Sequence, residues 1–382
     1  MARAGDGVAG KTVRILHVVP SLQRRGAERF AVRLAAHLGR AGHETRLVCL
    51  FPSADDAGAG QLGDWACCPR GATPLGVVAW LRREYRRYRP DIVLAHGGVP
   101  HRYAVLARGC AARPALVYRK IGLTAPWLRF PRALRLPLHR WLLRRAERIC
   151  CVAEVVRREV TDLLRVPAAR TAVIYEGVAE ERYRSSPPRE RARAALDIAA
   201  VRPVLLGVGA LGWEKHQEAM LRALASIRRE VPQALLLLAG DGPERGRLER
   251  VAVETGAVDA VRFLGVRHDV PALLAAADVL LLTSLTEGLP GVLIEAGLAG
   301  LPAVAWDVAG VREVVQDGVT GLVPPFGDEQ AVASDVLRLL GDGEAARRMG
   351  AAARAFCSER FDLQRCVDAH LRLFQDVLGA GG

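Results

Sequence analysis

Residues 279–296 read VLLLTSLTEGLPGVLIEA, which is an apolar run of strand length, a polar loop and a second apolar run. The first run, at 279–283, predicts a buried β-strand because it is short, continuous and apolar. Pro290 is well placed to start a helix over 290–299, since proline is favoured in the first helical turn. A strand that leads through a loop into a helix is the unit of a parallel α/β sheet.

The same alternation extends outward along nearly the whole chain. In the first half it predicts strands at 13–19, 45–50, 91–95, 115–118, 148–152 and 172–175, with helices such as 27–41 and 154–164. In the second half it predicts strands at 204–208, 234–239, 261–264, 279–283, 303–305 and 321–323, with helices at 214–229, 244–255, 290–299 and 329–340. Between the halves, SSPPRERARAAL at 185–196 has no apolar period and predicts a linker.

This pattern predicts an α/β protein of two doubly wound, Rossmann-like domains that face one another across a cleft. We expect the first domain at 1–183, the second at 184–362 and, within 363–382, a C-terminal helix that crosses back to the first domain. Ligands of open parallel sheets bind outside the carboxyl ends of the strands, so the cleft is the expected site.

Composition excludes several classes of protein. With 382 residues, 51% of them hydrophobic and 25% charged, the chain is neither disordered nor collagen-like. Its eight cysteines show no CxxC spacing, so neither a zinc site nor a disulfide framework is expected. The sequence lacks an apolar run of about 18 residues, and residues 1–12 lack the apolar stretch of a secretory signal. We therefore expect a cytoplasmic protein.

The two halves of the chain differ in charge. Residues 1–200 carry a net charge of +19 and residues 201–382 a net charge of −6. Residues 101–150 hold twelve basic side chains against the single acidic residue Glu147. Such a region would suit a phosphate-rich partner or an anionic membrane surface. Nucleic acid is not the expected partner, because no recognition motif or set of stacking aromatics accompanies the arginines.

Two glycine-rich patterns resemble phosphate loops but lack the necessary context. GDGVAGKT at 5–12 fits the P-loop pattern, yet no strand precedes it and a strand follows it. GVGALG at 207–212 follows a strand and fits the dinucleotide pattern. Three residues then intervene before the helix, however, and the next strand does not end in an acidic residue. Neither an NTPase nor a hydride-transfer enzyme is therefore the favoured interpretation.

The loop inside 279–296 has the features of a stronger anion site. Free N–H groups at Gly291, Val292 and Leu293, with the helix dipole behind them, would bind a diphosphate. Glu287 in the loop and Glu295 in the helix would place a carboxylate on each side, and carboxylates accept hydrogen bonds from hydroxyls strongly. Two hydroxyl-bearing groups that flank a diphosphate describe a nucleotide sugar.

Several motifs, in order along nearly the whole chain, resemble those of the family-4 glycosyltransferases, which are retaining enzymes of the GT-B architecture. They are Gly26-Ala27-Glu28, IYEGV at 174–178, VGAL at 208–211 with Glu214-Lys215, AGDGP at 239–243, FLG at 263–265 before Arg267, the E-x7-E pair Glu287 and Glu295, and the run from Gly310 to Gly321. The resemblance implies a sugar transferase that uses a nucleoside diphosphate sugar as co-substrate and needs no metal or other cofactor. The sequence also contains no D-x-D, the metal-binding signature of the other large transferase fold.

The resemblance also implies roles for individual residues. Glu295 would bind the ribose, Glu287 the donor sugar and Lys215 the diphosphate leaving group, while His96 would lie near the reacting sugar. The expected catalytic residues are thus Lys215, Glu287 and His96. The expected donor-binding residues are Gly26, Gly209, Lys215, Arg267, Glu287, Gly288, Leu289, Pro290, Gly291, Val292 and Glu295. His101, Arg119 and Lys120 are weaker candidates for the acceptor site.

Three positions depart from the family pattern. Ala210 stands where the family often has an arginine that shares the diphosphate charge, so Lys215 and backbone N–H groups would carry that charge alone. Arg25 replaces the first glycine of G-G-A-E, which would let Arg25 itself reach the cleft, and Glu176 replaces the usual asparagine.

Two other functions remain open at this stage. One is a GT-B epimerase or phosphorylase, which would convert its donor without an acceptor. The other is a non-catalytic protein that binds sugar nucleotides. This interpretation is favoured only if the replacement of the family arginine by Ala210 has abolished turnover.

The acceptor is expected to be a sugar or a lipid-linked molecule used in polysaccharide, glycolipid or glycoconjugate biosynthesis. Residues 127–145 interleave arginines with leucine and tryptophan, so they would suit a peripheral contact with an anionic membrane through Arg140, Arg144 and Arg145. The alternative is an ordinary core-facing helix with solvated arginines, and Pro131 and Pro137 are expected to limit any continuous helix.

Overall fold

The computed structural model describes residues 12–22, 26–52, 64–125 and 132–379. These described residues form two parallel β-sheets, one of seven strands and one of five, each packed against helices. This arrangement confirms the predicted α/β fold with two doubly wound domains. The look-alike P-loop at 5–12 lies almost entirely outside the described residues.

The first sheet has the strand order β3-β2-β1-β4-β5-β6-β7. Its strands are β1 Arg14–Val19, β2 Glu44–Cys49, β3 Trp65–Cys67, β4 Ile92–His96, β5 Ala115–Lys120, β6 Arg148–Cys151 and β7 Thr171–Val173. Its helices are α1 Gly26–Arg40, α2 Pro74–Tyr88, α3 Gly98–Arg108, α4 Arg132–Leu143 and α5 Glu154–Arg158, which runs into a π-helical turn at Glu159–Leu163.

Burial accounts for these elements. Every residue of β4 is buried, as expected for a strand covered on both faces. In α1, Phe30, Leu34 and Leu38 are fully buried at four-residue spacing, which places them on one face of the helix. Helix α2 begins where the Thr73 hydroxyl accepts the N–H of Gly76 at 3.2 Å, which satisfies one of the free donors of the first turn.

The second sheet has the strand order β10-β9-β8-β11-β12. Its strands are β8 Val204–Val208, β9 Leu235–Ala239, β10 Val261–Gly265, β11 Val279–Leu282 and β12 Ala303–Ala305. The helices that follow β7 are α6 Glu181–Arg184, α7 Arg189–Ala194, α8 Glu218–Glu230, α9 Arg245–Glu254, α10 Val270–Ala276, α11 Gly291–Ala299, α12 Glu329–Gly341, α13 Gly343–Arg360 and α14 Leu363–Gly379.

Three local predictions were wrong. Strand β3 was missed, because three residues at a sheet edge give no measurable period. The strand expected at 321–323 is reduced to an isolated bridge between Leu322 and Val304 of β12. The expected linker contains α7, whose Arg193 is 2% exposed and forms a 2.8 Å ion pair with Asp278. In the sequence alone, a buried arginine with an ion-pair partner cannot be told from a solvent-exposed arginine.

The chain passes between the two sheets at two points that lie side by side. The N–H of Val178 donates to the carbonyl of Phe361 at 2.9 Å. A Cβ on Gly177 would come within 2.6 Å of the Leu363 Cα, so only glycine allows this approach. Helix α14 then packs in the same apolar cluster as Phe30 of the first domain.

Helix α4 corrects another expectation. It continues through Pro137, although we expected the prolines to interrupt it. Residues 126–131 of the basic segment lie outside the described residues. Within the described ranges, every helix is too short or too polar to cross a membrane.

Candidate active site

The 284–290 loop connects β11 to α11 and ends at Pro290, which provides no side-chain cap for the helix. The N–H of Leu293 donates to the carbonyl of Pro290 at 3.0 Å. The N–H groups of Gly291 and Val292 have no acceptor among the described residues. Two of the three N–H groups predicted to be free are therefore available at the positive end of the helix dipole.

A lysine and a glutamate form an ion pair beside this helix start. The Lys215 Nζ lies 2.6 Å from the Glu287 Oε1, and the Ser284 hydroxyl donates to the same oxygen at 2.7 Å. The N–H of Leu285 donates to the carbonyl of Glu214 at 2.8 Å, which fixes the two loops side by side. The structure thus brings together the two side chains that the resemblance assigns to the diphosphate and the donor sugar.

Glycines shape the loop that carries Lys215. A Cβ on Gly240 would overlap the carbonyl oxygen of Gly209 and lie 2.8 Å from its carbonyl carbon. A Cβ on Gly242 would lie 2.5 Å from the carbonyl oxygen of Leu211. The two glycines of AGDGP therefore let the loop after β9 pack directly against the loop after β8, and this contact sets the path of the chain toward Lys215.

Glu295 lies in the second turn of α11, half-buried, where the first domain approaches. Burial and the neighbouring Glu295 carboxylate raise the pKa of Tyr183, which is 3% exposed on α6. Burial lowers the pKa of Arg29 on α1, and the Glu295 carboxylate opposes that effect. The predicted ribose ligand therefore lies close to a cation of the first domain and to a phenol.

His96 is buried in the first domain, where it pairs with another histidine. Its Nε2 lies 3.1 Å from the Nδ1 of His17, and the two rings are stacked. Burial, together with the nearby His370, lowers the pKa of His17 to about 3. Burial and His17 hold the pKa of His96 well below its ordinary value. Both rings are therefore neutral near pH 7, so one ring donates a hydrogen bond to the other.

Other predicted donor-binding residues are spread around the cleft. The Arg267 guanidinium makes a bidentate pair with Asp269, at 2.8 and 2.6 Å, just beyond β10. Gly26 is the exposed first residue of α1, and Gly209 follows β8. Leu289 packs against the apolar cores of both domains.

The weaker acceptor candidates are internal. His101, Arg119 and Lys120 are 2%, 0% and 2% exposed. Arg119 pairs with Glu176 at 3.1 Å, and Lys120 pairs with Glu159 at 3.0 Å. The expectation that these three side chains line an acceptor surface is wrong. The Glu176 departure has a structural reason, since its carboxylate compensates a buried guanidinium.

The 284–290 loop also touches the first domain. A Cβ on Gly288 would overlap the carbonyl oxygen of Ile121 and lie 2.9 Å from the Cα of Gly122. A Cβ on Gly310, where φ is +83°, would in turn overlap the carbonyl oxygen of Gly288. The loop is therefore packed between a loop of the first domain and a turn of its own domain, with no space for a side chain.

Sequence reasoning missed three residues of this region. Ser284 carries a usable signal, because it directly follows a buried strand and precedes Glu287 by three residues. Tyr183 lies just before the stretch interpreted as a linker, and Ile121 contributes only a backbone oxygen. Neither Tyr183 nor Ile121 carries a sequence signal, because the contacts of both residues depend on how the two domains pack together.

Two doubly wound domains that meet at such a loop define the GT-B class of glycosyltransferases. Residues 188–356 match the family model described as Glycosyl transferases group 1, and residues 24–182 match the model of Glycosyltransferase Family 4. The chain therefore belongs to the family-4 glycosyltransferases, which confirms the resemblance seen in its motifs.

Named relatives match most of the chain. It is 30% identical over 306 residues to N-acetyl-alpha-D-glucosaminyl L-malate synthase of Bacillus anthracis, covering 80% of this chain and 79% of that protein. It is 27% identical over 361 residues to alpha-D-kanosaminyltransferase of Streptomyces kanamyceticus, covering 88% and 89%. The solved structure of Anabaena Alr3699/HepE in complex with UDP and glucose superimposes with a TM-score of 0.85 at 23% identity, covering 95% and 100%. The similarity to the Anabaena structure shows that the two proteins share a fold.

The Gly288→Ala variant tests the packing of the loop. We expect its kcat/KM for sugar transfer to fall on the order of 100-fold, because the methyl group must push the loop away from Ile121 and small misplacements of reacting groups are costly. The matched control is Gly122→Ala, whose Cβ would meet nothing within 4 Å. Steady-state assays of both variants check this, and wild-type activity in Gly288→Ala would contradict the close approach.

Proposed function

We propose that this glycosyltransferase moves a sugar from a nucleoside diphosphate sugar to an acceptor hydroxyl, with retention at the anomeric carbon and without a metal ion or other cofactor. The observation that carries the proposal is the Lys215–Glu287 ion pair beside the two unpaired N–H groups at the start of α11. We assign the reaction to the assembly of polysaccharides, glycolipids or other glycoconjugates.

The leaving diphosphate is the group that this arrangement suits. Lys215 and the N–H groups of Gly291 and Val292 are donors already in place, and such donors stabilise the charge that develops as the glycosidic bond breaks. Glu287 orients the ammonium group through its 2.6 Å contact before the donor arrives. Because Ala210 replaces an arginine, Lys215 carries a larger share of this stabilisation. The chain has only three lysines, so the choice of lysine here favours a compact ammonium.

The two glutamates of the E-x7-E pair have different surroundings, which supports different roles. Glu287 is bound to Lys215 and Ser284 at the mouth of the loop, a position that suits contact with the donor sugar. Glu295 lies on α11, beside Tyr183 and near Arg29, a position that suits the ribose. The UDP and glucose held by the Anabaena relative make a UDP-sugar the first donor to test.

Incubation with a panel of UDP-, GDP- and ADP-sugars, with and without sugar and lipid-linked acceptors, tests the proposed reaction. We expect mass spectrometry to show nucleotide release that depends on an acceptor, and NMR to show the donor's anomeric configuration in the product. EDTA should leave the rate unchanged. Conversion without an acceptor would favour the epimerase or phosphorylase interpretation, and binding without turnover would favour a non-catalytic protein. The family relationship favours neither alternative.

Lys215→Ala should lower turnover roughly 10²–10³-fold, which corresponds to about 2.7–4 kcal/mol for removing one preorganised donor to a developing anion. The melting temperature should barely change, because Lys215 is partly exposed. Arg222→Ala is the matched control, since it removes a cation paired with Glu218 on α8. Activity of Lys215→Ala within about threefold of wild type would remove Lys215 from the mechanism.

Isothermal titration with the free nucleoside diphosphate separates the roles of the two glutamates. Glu295→Gln should weaken nucleotide binding about tenfold, the scale of losing a hydrogen bond to a charged group. Glu287→Gln should leave nucleotide affinity within about threefold and depress sugar transfer. An equal loss of nucleotide affinity in both variants would show that the roles are divided wrongly.

We further propose that the first domain binds an anionic membrane surface and presents a lipid-linked acceptor to the cleft. On α4, Leu138 and Trp141 are 55% and 44% exposed. The Arg145 guanidinium lies 4.9 Å from the centre of the Trp141 ring, and Arg144 is exposed beside it. Exposed apolar side chains next to arginines are typical of helices that lie in a membrane interface. Arg140 instead donates to the carbonyl of Leu163 at 3.1 Å and so fixes α4 to its own domain.

Co-sedimentation with vesicles containing anionic lipid tests this surface. Each basic residue near such a membrane contributes up to about 1 kcal/mol to the free energy of binding. Replacing both Arg144 and Arg145 by Glu should therefore weaken binding at least tenfold. Binding should also fall steeply as salt is raised. Arg347→Glu, on the exposed face of α13, is the control. Absence of binding by the wild type at low salt would favour a soluble sugar acceptor.

A further inference from the structure

Glu313 of the second domain makes three hydrogen bonds with the first domain and the segment that joins the two domains. It ends the 3₁₀ turn Val311–Glu313, which follows β12. Its carboxylate accepts the N–H groups of Glu154 and Val155, each at 2.8 Å, and the Tyr175 hydroxyl at 2.9 Å. Both carboxylate oxygens are used as acceptors, so this contact needs a carboxylate.

The first turn of α5 has no acceptor of its own for these N–H groups. The residue before the helix is Ala153, whose side chain cannot cap it. An uncapped first turn leaves backbone donors that need a partner. The second domain supplies that partner across the domain boundary, so Glu313 completes a helix that belongs to the first domain.

The other end of the same helical segment binds the 121–125 loop of the first domain, which contacts the 284–290 loop. Glu159, in the π-helical turn that continues α5, accepts the N–H groups of Thr124 and Ala125 at 2.8 Å. It also pairs with the Lys120 ammonium at 3.0 Å. The 121–125 loop is therefore fixed to this segment, and its Ile121 is the residue that meets Gly288. π-Helical turns are frequent at functional positions.

The contacts described so far form a closed series that begins and ends at Gly288. Gly310, three residues before Glu313, packs on the other side of Gly288. Tyr175 lies in the segment that joins the domains and also accepts a hydrogen bond of 2.7 Å from Arg360, near the second crossing of the chain. Glu313 thus connects three parts of the structure. They are the segment that joins the two domains, helix α5 of the first domain and the turn that packs against the 284–290 loop.

We propose that Glu313 is a positioning residue for sugar transfer. It sets the closed arrangement, meaning the one in which Ile121 of the first domain contacts Gly288 beside the Lys215–Glu287 pair. This inference rests on the proposed donor site, because the reaction gains from closure only if the donor binds at that loop. The nucleotide contacts proposed above, namely Lys215, the N–H groups at the start of α11 and Glu295, belong to the second domain, so Glu313 is expected to affect turnover through domain alignment rather than through nucleotide affinity.

The isosteric variant Glu313→Gln tests the proposal, because it replaces one acceptor oxygen by an N–H₂ group that faces a backbone N–H. We expect kcat/KM for the acceptor to fall about tenfold to hundredfold, the range of typical coupling between sites. The dissociation constant for the nucleoside diphosphate should stay within about threefold of wild type. Small-angle scattering with saturating nucleotide should show a larger radius of gyration. Glu154→Gln is the matched control, since it changes a carboxylate on the same turn and keeps both backbone donors.

Identical behaviour of Glu313→Gln and Glu154→Gln would overturn the proposal. A parallel loss of nucleotide affinity and turnover would also overturn it, because that result places Glu313 in donor binding. If Glu313→Gln does not fold, Tyr175→Phe removes one of the three hydrogen bonds and should give the same pattern at smaller size. Wild-type kinetics and scattering in Tyr175→Phe would then contradict the inference. The scattering measurement requires nucleotide binding but no sugar transfer, so it separates this failure from a failure of the proposed reaction.

Discussion

The structure depends on a steric constraint at Gly288. This position has no space for a side chain, since the carbonyl oxygen of Ile121 lies on one side and Gly310 on the other. Leu289, the next residue, packs against both apolar cores. The loop that carries Glu287 is therefore also part of the contact between the domains. A change in the relative position of the domains must displace this loop, which couples domain arrangement to the geometry of the site.

Buried ion pairs change the meaning of the charge distribution. The first half of the chain is strongly basic, yet many of its arginines have internal partners. Arg119 is fully buried against Glu176, and Arg108 pairs with Glu147 at 2.7 Å, the single acidic residue of its region. Removing one partner from such a pair leaves an uncompensated buried charge. The exposed Arg144, directly after α4, is thus a better guide to an anionic partner than the net charge.

The sequence predicted the features that short local patterns encode. Strand β8 at Val204–Val208 and strand β12 at Ala303–Ala305 have the predicted bounds, because buried parallel strands are continuous apolar runs. The resemblance assigned Lys215 and Glu287, which lie 72 residues apart, to one donor site, but their ion pair was not predicted. Contacts between domains were not predictable in this way. Glu313 and Gly288 act on backbone groups of the other domain, and a backbone N–H or carbonyl has no sequence signature.

A crystal structure of the protein with a bound nucleoside diphosphate tests the central claim most directly. The account predicts that the diphosphate lies against the N–H groups of Gly291 and Val292, with the Lys215 Nζ within hydrogen-bond distance of a phosphate oxygen and Glu295 on the ribose. A nucleotide bound away from the start of α11, with Lys215 paired only to Glu287, would contradict it.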